Sequence, residues 1–205
     1  MVNFGMEFVK EFATFLHEKG AIKFGYFTLS SGKKSSYYID LRIVPSFPHQ
    51  FRKMVKLLQN KISECIGLEN FDYLVSIPTG GLVVTSALAI ETVKPLIYVR
   101  NKPKDHGTSK SLEGSFEQGK KALMIDDVAT TGGSVVNALK PIKDAGIAIT
   151  DAFVIINRME GASEALDAEG VKMHSLTDIL QITNILHDQN LVSNDILENI
   201  KKHIK

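Results

Sequence analysis

The feature that most constrains this chain is a stretch in which an apolar segment, two acidic residues and a glycine-containing turn follow one another. Residues 121–125 are short and mostly apolar, which predicts a buried strand. Asp126 and Asp127 come next, and the turn after them carries two glycines and three hydroxyl side chains. Ser134 then precedes residues 135–139, a pattern that predicts a helix with the serine near its N-cap.

The turn has the chemistry of a phosphate-binding loop. A helix N-terminus presents unpaired N–H groups and a positive dipole end, and Gly132 and Gly133 let an anion approach the backbone closely. Asp126 and Asp127 repel phosphate, but they suit hydroxyl groups, as on a ribose, or a metal ion. We therefore expect a sugar phosphate with free hydroxyls. The alternative is a plain strand–turn–helix junction whose acidic and serine side chains serve only as caps.

Apolar strands alternate with helices from residue 72 to residue 176. This order predicts an α/β fold with a mostly parallel central sheet flanked by helices. Within 205 residues we expect one domain, with an N-terminal helix and flap over 1–45 and a core α/β region over 70–176. Ligands of such sheets bind outside the carboxyl ends of the strands.

Composition and charge exclude several classes of function. The net charge of +1, with no long run of one sign, argues against a dedicated nucleic-acid binder. The chain has no apolar run long enough for a membrane span and no basic segment followed by an apolar core at its N-terminus. We therefore expect a cytoplasmic protein with no membrane partner. Cys65 is the only cysteine, and we predict a packed thiol.

Two further segments suit anions. The predicted strand 72–77 is followed by a Pro-Thr-Gly-Gly turn and an apolar helix, which repeats the order of the main loop. The alternative is an ordinary turn between a strand and a helix.

Residues 101–114 form a long polar segment, and such loops are usually functional or mobile. Its concentration of positive charge indicates an anionic ligand, the alternative being a solvated loop. The basic side chains in and beside it are Arg100, Lys102, Lys104, His106 and Lys110.

Two more features concern a second ligand. Arg158 follows the strand predicted over 149–156, so it lies at the ligand edge of the sheet. A guanidinium pairs bidentately with a carboxylate, and the alternative here is an ion pair with Glu160. Residues 22–40 predict two short aromatic strands around a Ser-Gly turn, which would form a small flap. An exposed Lys23 and edge-strand aromatics are the alternative for that segment.

The acidic pair and the Thr-Thr-Gly-Gly-Ser turn closely resemble the phosphoribosyl-pyrophosphate (PRPP) signature of the type I phosphoribosyltransferases. In that family the acidic pair holds the ribose 2′- and 3′-hydroxyls, and the loop holds the 5′-phosphate. Three other patterns are similar to those of orotate phosphoribosyltransferases: Lys-Phe-Gly-x-Phe-x-Leu-x-Ser-Gly-x-x-Ser-x-Tyr from Lys23, Arg-x-Lys-Pro-Lys-x-His-Gly from Arg100, and Arg-x-Glu-Gly from Arg158. Asn101 and Asn157 depart from that family, where lysine and aspartate are usual.

The resemblance implies a type I phosphoribosyltransferase fold in a single domain over 1–205, with a small N-terminal hood. It implies a Mg²⁺-dependent transfer of ribose 5-phosphate from PRPP to orotate, giving orotidine 5′-monophosphate and pyrophosphate in UMP biosynthesis. It also implies a homodimer in which a mobile catalytic loop, 101–114, closes over the neighbouring subunit's site. The Mg²⁺ would be held mainly by PRPP, so no side chain is assigned to it.

The resemblance further implies roles for individual residues. The catalytic residues would be Lys104, His106, Asp126 and Asp127. The PRPP-binding residues would be Arg100, Lys102, Lys104, His106, Asp126, Asp127, Val128, Ala129, Thr130, Thr131, Gly132, Gly133, Ser134, Thr79 and Gly80. The orotate-binding residues would be Lys23, Tyr37, Tyr38, Thr130 and Arg158. Either Lys102 replaces the lysine missing at Asn101, or one pyrophosphate contact is absent.

Two rival functions stay open. One is a type I transferase that acts on a purine or uracil, against which Lys23 and Arg158 argue because those bases carry no carboxylate. The other is a regulator that keeps the PRPP fold as a sensor and binds nucleic acid. Such a regulator need not retain the basic loop, whereas this sequence does.

Overall fold

A computed structural model describes residues 2–28, 34–100 and 111–204, with side chains from residue 5 onward. The predicted catalytic residues Lys104 and His106 of the basic loop lie outside the described residues, as does Lys102, which was predicted to bind PRPP. The chain divides into two compact units, one of residues 1–51 and 177–205 and the other of residues 52–176. Each unit is described by itself.

The helices and strands follow one another in the order that the sequence predicts. The elements are α1 (Val2–Glu18), β1 (Ile22–Thr28), β2 (Lys34–Ile39), α2 (Pro48–Cys65), β3 (Tyr73–Ser76), α3 (Gly80–Thr92), β4 (Leu96–Val99), β5 (Leu112–Glu113), β6 (Lys121–Ala129), α4 (Gly133–Asp144), β7 (Ala148–Asn157), α5 (Ala162–Asp167), β8 (Lys172–Asp178), α6 (Ile179–Asp188) and α7 (Asn194–His203). Short 3₁₀ helices span Leu41–Ser46 and Leu68–Asn70.

The central sheet has six strands in the order β5-β4-β3-β6-β7-β8. Strands β3, β4, β6 and β7 pair in parallel, and the two-residue β5 is antiparallel to β4. This confirms the predicted α/β fold with a mostly parallel sheet flanked by helices. The order places β3 and β6 side by side at the centre, so the segments that follow these two strands meet at one edge.

Strand β6 is buried on both faces. Leu123, Met124 and Ile125 are each at most 1% exposed, and successive strand residues point to opposite sides of a sheet. Covered parallel strands are typically continuous apolar runs for this reason. The burial anchors the strand that carries the acidic pair.

The unit formed by the two ends of the chain is built around α1 and an antiparallel β1–β2 hairpin. Phe8, Phe12 and Phe15 stack along α1 with ring centroids 5.4 and 6.2 Å apart, which confirms the predicted amphipathic helix. Lys23 pairs with Tyr38 and Phe24 with Tyr37 across the hairpin, and the register shifts between Phe24 and Phe27.

Three local expectations from the sequence need correction. Strand β6 does not end before the acidic residues but continues to Ala129, because its backbone keeps pairing with β7 that far. Helix α4 begins at Gly133 with Gly132 as its N-cap, so Ser134 lies in the first turn. Cys65 is exposed rather than packed, since it is the last residue of α2, beyond the buried stripe of that helix.

Candidate active site

The acidic pair and the glycine turn after β3 lie directly against each other. Ser76 of β3 pairs with Ile125 of β6, so the parallel strands bring Gly80 and Gly81 to the acidic pair. A Cβ atom built on Gly80 would overlap the Asp127 carboxylate, and one built on Gly81 would overlap Asp126 Oδ1. A side chain at either glycine would have to displace one of the two acidic side chains, so the two turns form one site.

The two helices that begin at this edge have N-termini without side-chain caps. In the part of the chain that the structure describes, Thr79 and Gly132, the N-cap residues of α3 and α4, make no capping hydrogen bond through a side chain. By contrast, Asp178 and Ser193 accept such bonds at the starts of α6 and α7. The first N–H groups of α3 and α4 are therefore left for an anion.

The phosphate loop has the predicted order of strand, turn and helix, except that β6 extends through the acidic pair to Ala129. Val128 and Ala129 end the strand, residues 130–132 form the turn, and Gly133 and Ser134 open α4. Gly132 has φ +77°, and a Cβ atom there would lie 3.2 Å from the Ala162 backbone of α5. Glycine is thus required both by the backbone conformation and by the close approach of α5. The Pro78–Thr79 peptide before α3 is cis.

The electrostatics of the acidic pair are unusual. Burial, followed by the negative charge of neighbouring Asp127, raises the pKa of Asp126 to about 8. The backbone N–H of Asp127 donates to Asp126 Oδ1 at 2.9 Å, and that of Val128 donates to Asp127 Oδ1 at 2.9 Å. The raised pKa favours the protonated form of Asp126, which can donate one hydrogen bond to a ligand hydroxyl as well as accept one.

Arg158 lies beside the phosphate loop and is bound to an internal carboxylate. Its backbone N–H donates to the carbonyl of Ala129 at 2.9 Å. Its side chain is buried, and Nε and Nη2 both contact Glu160 Oε1 at 2.9 Å. The ion pair that the sequence left as an alternative is thus present. A carboxylate ligand would have to share the guanidinium with Glu160 or displace it.

Arg100 borders the same edge of the sheet. Its Nη1 lies 2.9 Å from Glu113 Oε1, and its backbone N–H donates to the Ser111 carbonyl at 2.8 Å. Arg100, Ser134 and Asn137 line a groove of about 500 Å³. The groove therefore joins the start of the basic loop to the phosphate loop.

The predicted base-binding residues of the hairpin belong to the other unit and differ in their surroundings. Tyr38 is half-buried, and its register partner Lys23 is exposed. Tyr37 is 0% exposed, with its ring 5.7 Å from the ring of His203. The prediction that Tyr37 flanks a base is wrong for this structure, because alternation along β2 turns its side chain into the core.

Two residues of the site, Ser76 and Glu113, were missed from the sequence, whereas Glu160 was named there as an alternative ion-pair partner. Ser76 is buried, donates to the Ile125 carbonyl at 2.8 Å, and lies where a Cβ atom of Gly81 would be. Glu113 and Glu160 hold the two arginines. The spacing Arg-x-Glu signalled Glu160 as an ion-pair partner, whereas the partner of Arg100 is 13 residues away and depends on the β4–β5 pairing.

Comparisons with known proteins agree with this geometry. Residues 48–184 match the model of the phosphoribosyl transferase domain family. An orotate phosphoribosyltransferase of Cenarchaeum symbiosum is 55% identical over 96% of this chain and 98% of its own length. One from Pyrococcus furiosus is 42% identical over 82% of this chain and 91% of its own length.

Solved structures show the same fold. The crystal structure of orotate phosphoribosyltransferase from Aeropyrum pernix superimposes with a TM-score of 0.76 at 32% identity, covering 88% of this chain and 99% of that one. Leishmania donovani UMP synthase gives a TM-score of 0.82 at 27% identity, covering 95% of this chain but 42% of that one. Among the described residues, no helix combines the length and the apolar character needed to cross a membrane.

Proposed function

Since this chain belongs to the orotate phosphoribosyltransferase family, a family of pentosyltransferase enzymes, we propose that it transfers ribose 5-phosphate from PRPP to orotate. The products would be orotidine 5′-monophosphate and pyrophosphate, on the route to UMP. The observation that carries the proposal is the contact between the acidic pair and the glycine turn of α3, beside the uncapped start of α4. The starts of α3 and α4 are thus two sites for anions, and the acidic pair between them can bind hydroxyl groups.

PRPP has a complementary order of groups. The 5′-phosphate binds the N–H groups and hydroxyls at the start of α4, and the ribose hydroxyls bind Asp126 and Asp127. The pyrophosphate binds the turn at Thr79 and Gly80, together with Arg100. The basic residues Lys102, Lys104 and His106 add positive charge to the pyrophosphate, an assignment that comes from the sequence alone.

The reaction needs no nucleophilic side chain. The bond from the ribose C1 carbon to the pyrophosphate oxygen breaks, and a ring nitrogen of orotate forms the new bond to that carbon. The proton of that nitrogen passes to the released pyrophosphate. Negative charge gathers on the departing pyrophosphate, so cations directed at it lower the barrier more than they tighten substrate binding. We assign this work to Arg100, Lys104 and His106. The acidic pair positions the ribose, and Asp127 stabilises positive charge at its reacting carbon.

Mg²⁺ suits this site if the substrate brings most of its ligands. The described residues contain no group of three or more His, Cys, Asp or Glu side chains placed to hold a metal. Mg²⁺ usually binds one or two carboxylates together with substrate phosphates and water, and one half-buried acidic pair with PRPP matches that set. When bound, Mg²⁺ neutralises charge on the pyrophosphate.

For orotate, we propose Arg158 as the ligand of the carboxylate, with Thr130 contributing to the base pocket. The roles of Lys23 and Tyr38 stay predictions from the sequence. Arg158 directly follows β7, and its backbone N–H is bonded to Ala129 at the start of the phosphate loop. A guanidinium binds a carboxylate through two nitrogens. Purines and uracil lack that carboxylate, so the buried arginine supports orotate over them. Tyr37 is left out because it is enclosed in its own unit.

We propose that the working form is a cytoplasmic homodimer that shares its basic loops. Helix α3 supports a dimer because Ile90 and Val93 are 81% and 88% exposed and Val83 is also exposed. Apolar side chains grouped on one helix indicate a surface that another copy covers. The proposed sharing of loop 101–114 between subunits would then complete each site.

The test of the proposed reaction is consumption of orotate with PRPP and Mg²⁺, followed through the loss of its ultraviolet absorbance. Adenine, hypoxanthine and uracil run in parallel under the same conditions. We expect turnover of orotate alone. Turnover of another base instead would contradict the role of Arg158, and PRPP binding without turnover of any base would favour a sensor.

A further inference from the structure

The unit that holds both chain ends contains a groove of about 490 Å³ between the β1–β2 hairpin and α7. The side chains that matter here are Phe24, Tyr26, Ser36, Asn199, Lys202 and His203. None of them has a role in the reaction proposed above. Grooves of this volume are typical of sites for small molecules. We call it the hairpin groove.

One side of the hairpin groove is aromatic. Tyr26 is 99% exposed, although most tyrosine rings are at least partly covered. It stands at the irregularity of β1, beside Gly25, where the register shifts. Phe24 lines the groove next to it. An exposed ring beside a half-buried one offers a surface on which a planar ligand can stack.

The other side of the groove offers hydrogen-bond donors and positive charge. Among the residues that the structure describes, no acidic side chain lines it. Lys201 pairs with Glu198 at 2.8 Å, whereas neighbouring Lys202 has no ion pair within the described ranges of the chain. The Ser36 hydroxyl is shielded from solvent and has no hydrogen-bond partner among the described residues. A buried hydroxyl without a partner costs free energy, which a ligand acceptor would recover.

His203 and Asn199 complete the polar side. His203 is held with its ring edge to face against the buried Tyr37, at a centroid distance of 5.7 Å. Asn199 is exposed one helical turn before it on α7. Residues three or four apart on a helix share a face, so Asn199, Lys202 and His203 present their groups to the groove together.

We propose that the hairpin groove binds a nucleoside monophosphate. Its base stacks on Tyr26 and Phe24, and its phosphate is held by Lys202 with Asn199 and Ser36 as hydrogen-bond donors. A ring and an anion in one small molecule match the two sides of the groove. The inference does not rest on the proposed transfer reaction, since none of its residues is part of that assignment.

The test localises the nucleotide, because the phosphate loop of the other unit also binds phosphate groups. The full chain is irradiated with 5-iodo-UMP, and labelled peptides are identified by mass spectrometry. We expect labelling within residues 22–28 or 194–204, at least tenfold weaker in Lys202→Gln and in Tyr26→Leu. Lys201→Gln is the matched control, since it removes a neighbouring charge outside the groove and should leave labelling unchanged.

Two competitors complete the experiment. UMP in excess should remove the label from the hairpin peptides, and inorganic phosphate at the same concentration should not. Labelling confined to peptides of the phosphate loop would overturn the proposal, as would equal labelling of Lys202→Gln and wild type. If inorganic phosphate removed the label as well as UMP does, stacking of the base on Tyr26 and Phe24 would be contradicted. The melting temperatures of Lys202→Gln and Tyr26→Leu show whether a loss of labelling comes from unfolding. If either variant unfolds, Asn199→Ala replaces it as a test, and its labelling should also be weaker than that of the wild type.

Discussion

The Asp127 carboxylate lies against the backbone of Gly80, with no room for a Cβ atom between them. The two residues belong to segments 47 positions apart, which the parallel pairing of β3 and β6 brings together. This contact sets the start of α3 beside the acidic pair. It follows that the size of residue 80 and the position of the carboxylate are coupled.

Gly80→Ala should displace the Asp127 carboxylate. We expect a loss of about 1–3 kcal/mol in the free energy of unfolding, as for overpacked sites, and at least a tenfold loss of orotate turnover. Gly5→Ala is the control, because nothing lies within 4 Å of a Cβ atom there. Gly5 lies in the first turn of α1, where that change should stabilise the protein slightly. Full turnover of Gly80→Ala would show that the carboxylate position is unimportant.

The raised pKa of Asp126 predicts how stability depends on pH. The unfolded chain releases this proton near pH 3.8, while the folded chain keeps it until about pH 8. Between these values the folded state binds more protons, so the free energy of unfolding falls as the pH rises and levels off above pH 8. Asp126→Asn should lack this fall. Denaturant titrations of both proteins from pH 5 to 9 measure the difference, and parallel curves would contradict the assignment.

Arg158→Lys should raise the KM for orotate. Lysine keeps the charge but cannot pair through two nitrogens. A hydrogen bond to a charged group contributes about 1.5–3 kcal/mol, so an increase of roughly tenfold or more is expected, with the KM for PRPP nearly unchanged. Glu160→Gln tests the internal partner and should raise the same KM less. An unchanged KM for orotate in Arg158→Lys would mean that the arginine serves only the ion pair with Glu160.

Glu113→Gln should affect PRPP rather than orotate, because Glu113 holds Arg100 at 2.9 Å. We expect a several-fold increase in the KM for PRPP. The free energy of unfolding should change by less than about 1 kcal/mol, since the pair is partly exposed. Glu169→Gln breaks a comparable ion pair with Lys143 at 3.0 Å and should change neither KM. Equal effects of the two variants would remove Glu113 from the site.

Ile90→Glu should separate the proposed dimer, because it places a charge on the exposed apolar side of α3. Sedimentation should then show monomers. Leu191→Glu, which changes another exposed aliphatic side chain, is the control and should leave the mass unchanged. If the subunits share loops, mixing Lys104→Ala with Asp127→Asn should restore part of the activity that each lacks alone. A monomeric wild-type protein would contradict both expectations.

The fold class and the phosphate loop could be predicted from the sequence because both depend on local order along the chain. Alternating apolar segments predict strands and helices. An acidic pair followed by two glycines suits a sugar phosphate wherever it occurs in a chain. Local order along the chain does not separate Tyr37 from Tyr38, both of which were predicted to bind orotate. They are neighbours in sequence, yet strand geometry turns one into the core and leaves the other accessible.

The amino-acid sequence by itself determined the order of the elements, the loop that suits a sugar phosphate and the residue types that face it. The tertiary structure alone decided that Gly80 touches Asp127, that Arg100 is held by Glu113, and that Asp126 is buried enough to keep its proton. The physical reason is that these are contacts or burial created by strand pairing. A carboxyl group acquires its pKa, and an arginine its partner, only where distant segments pack together.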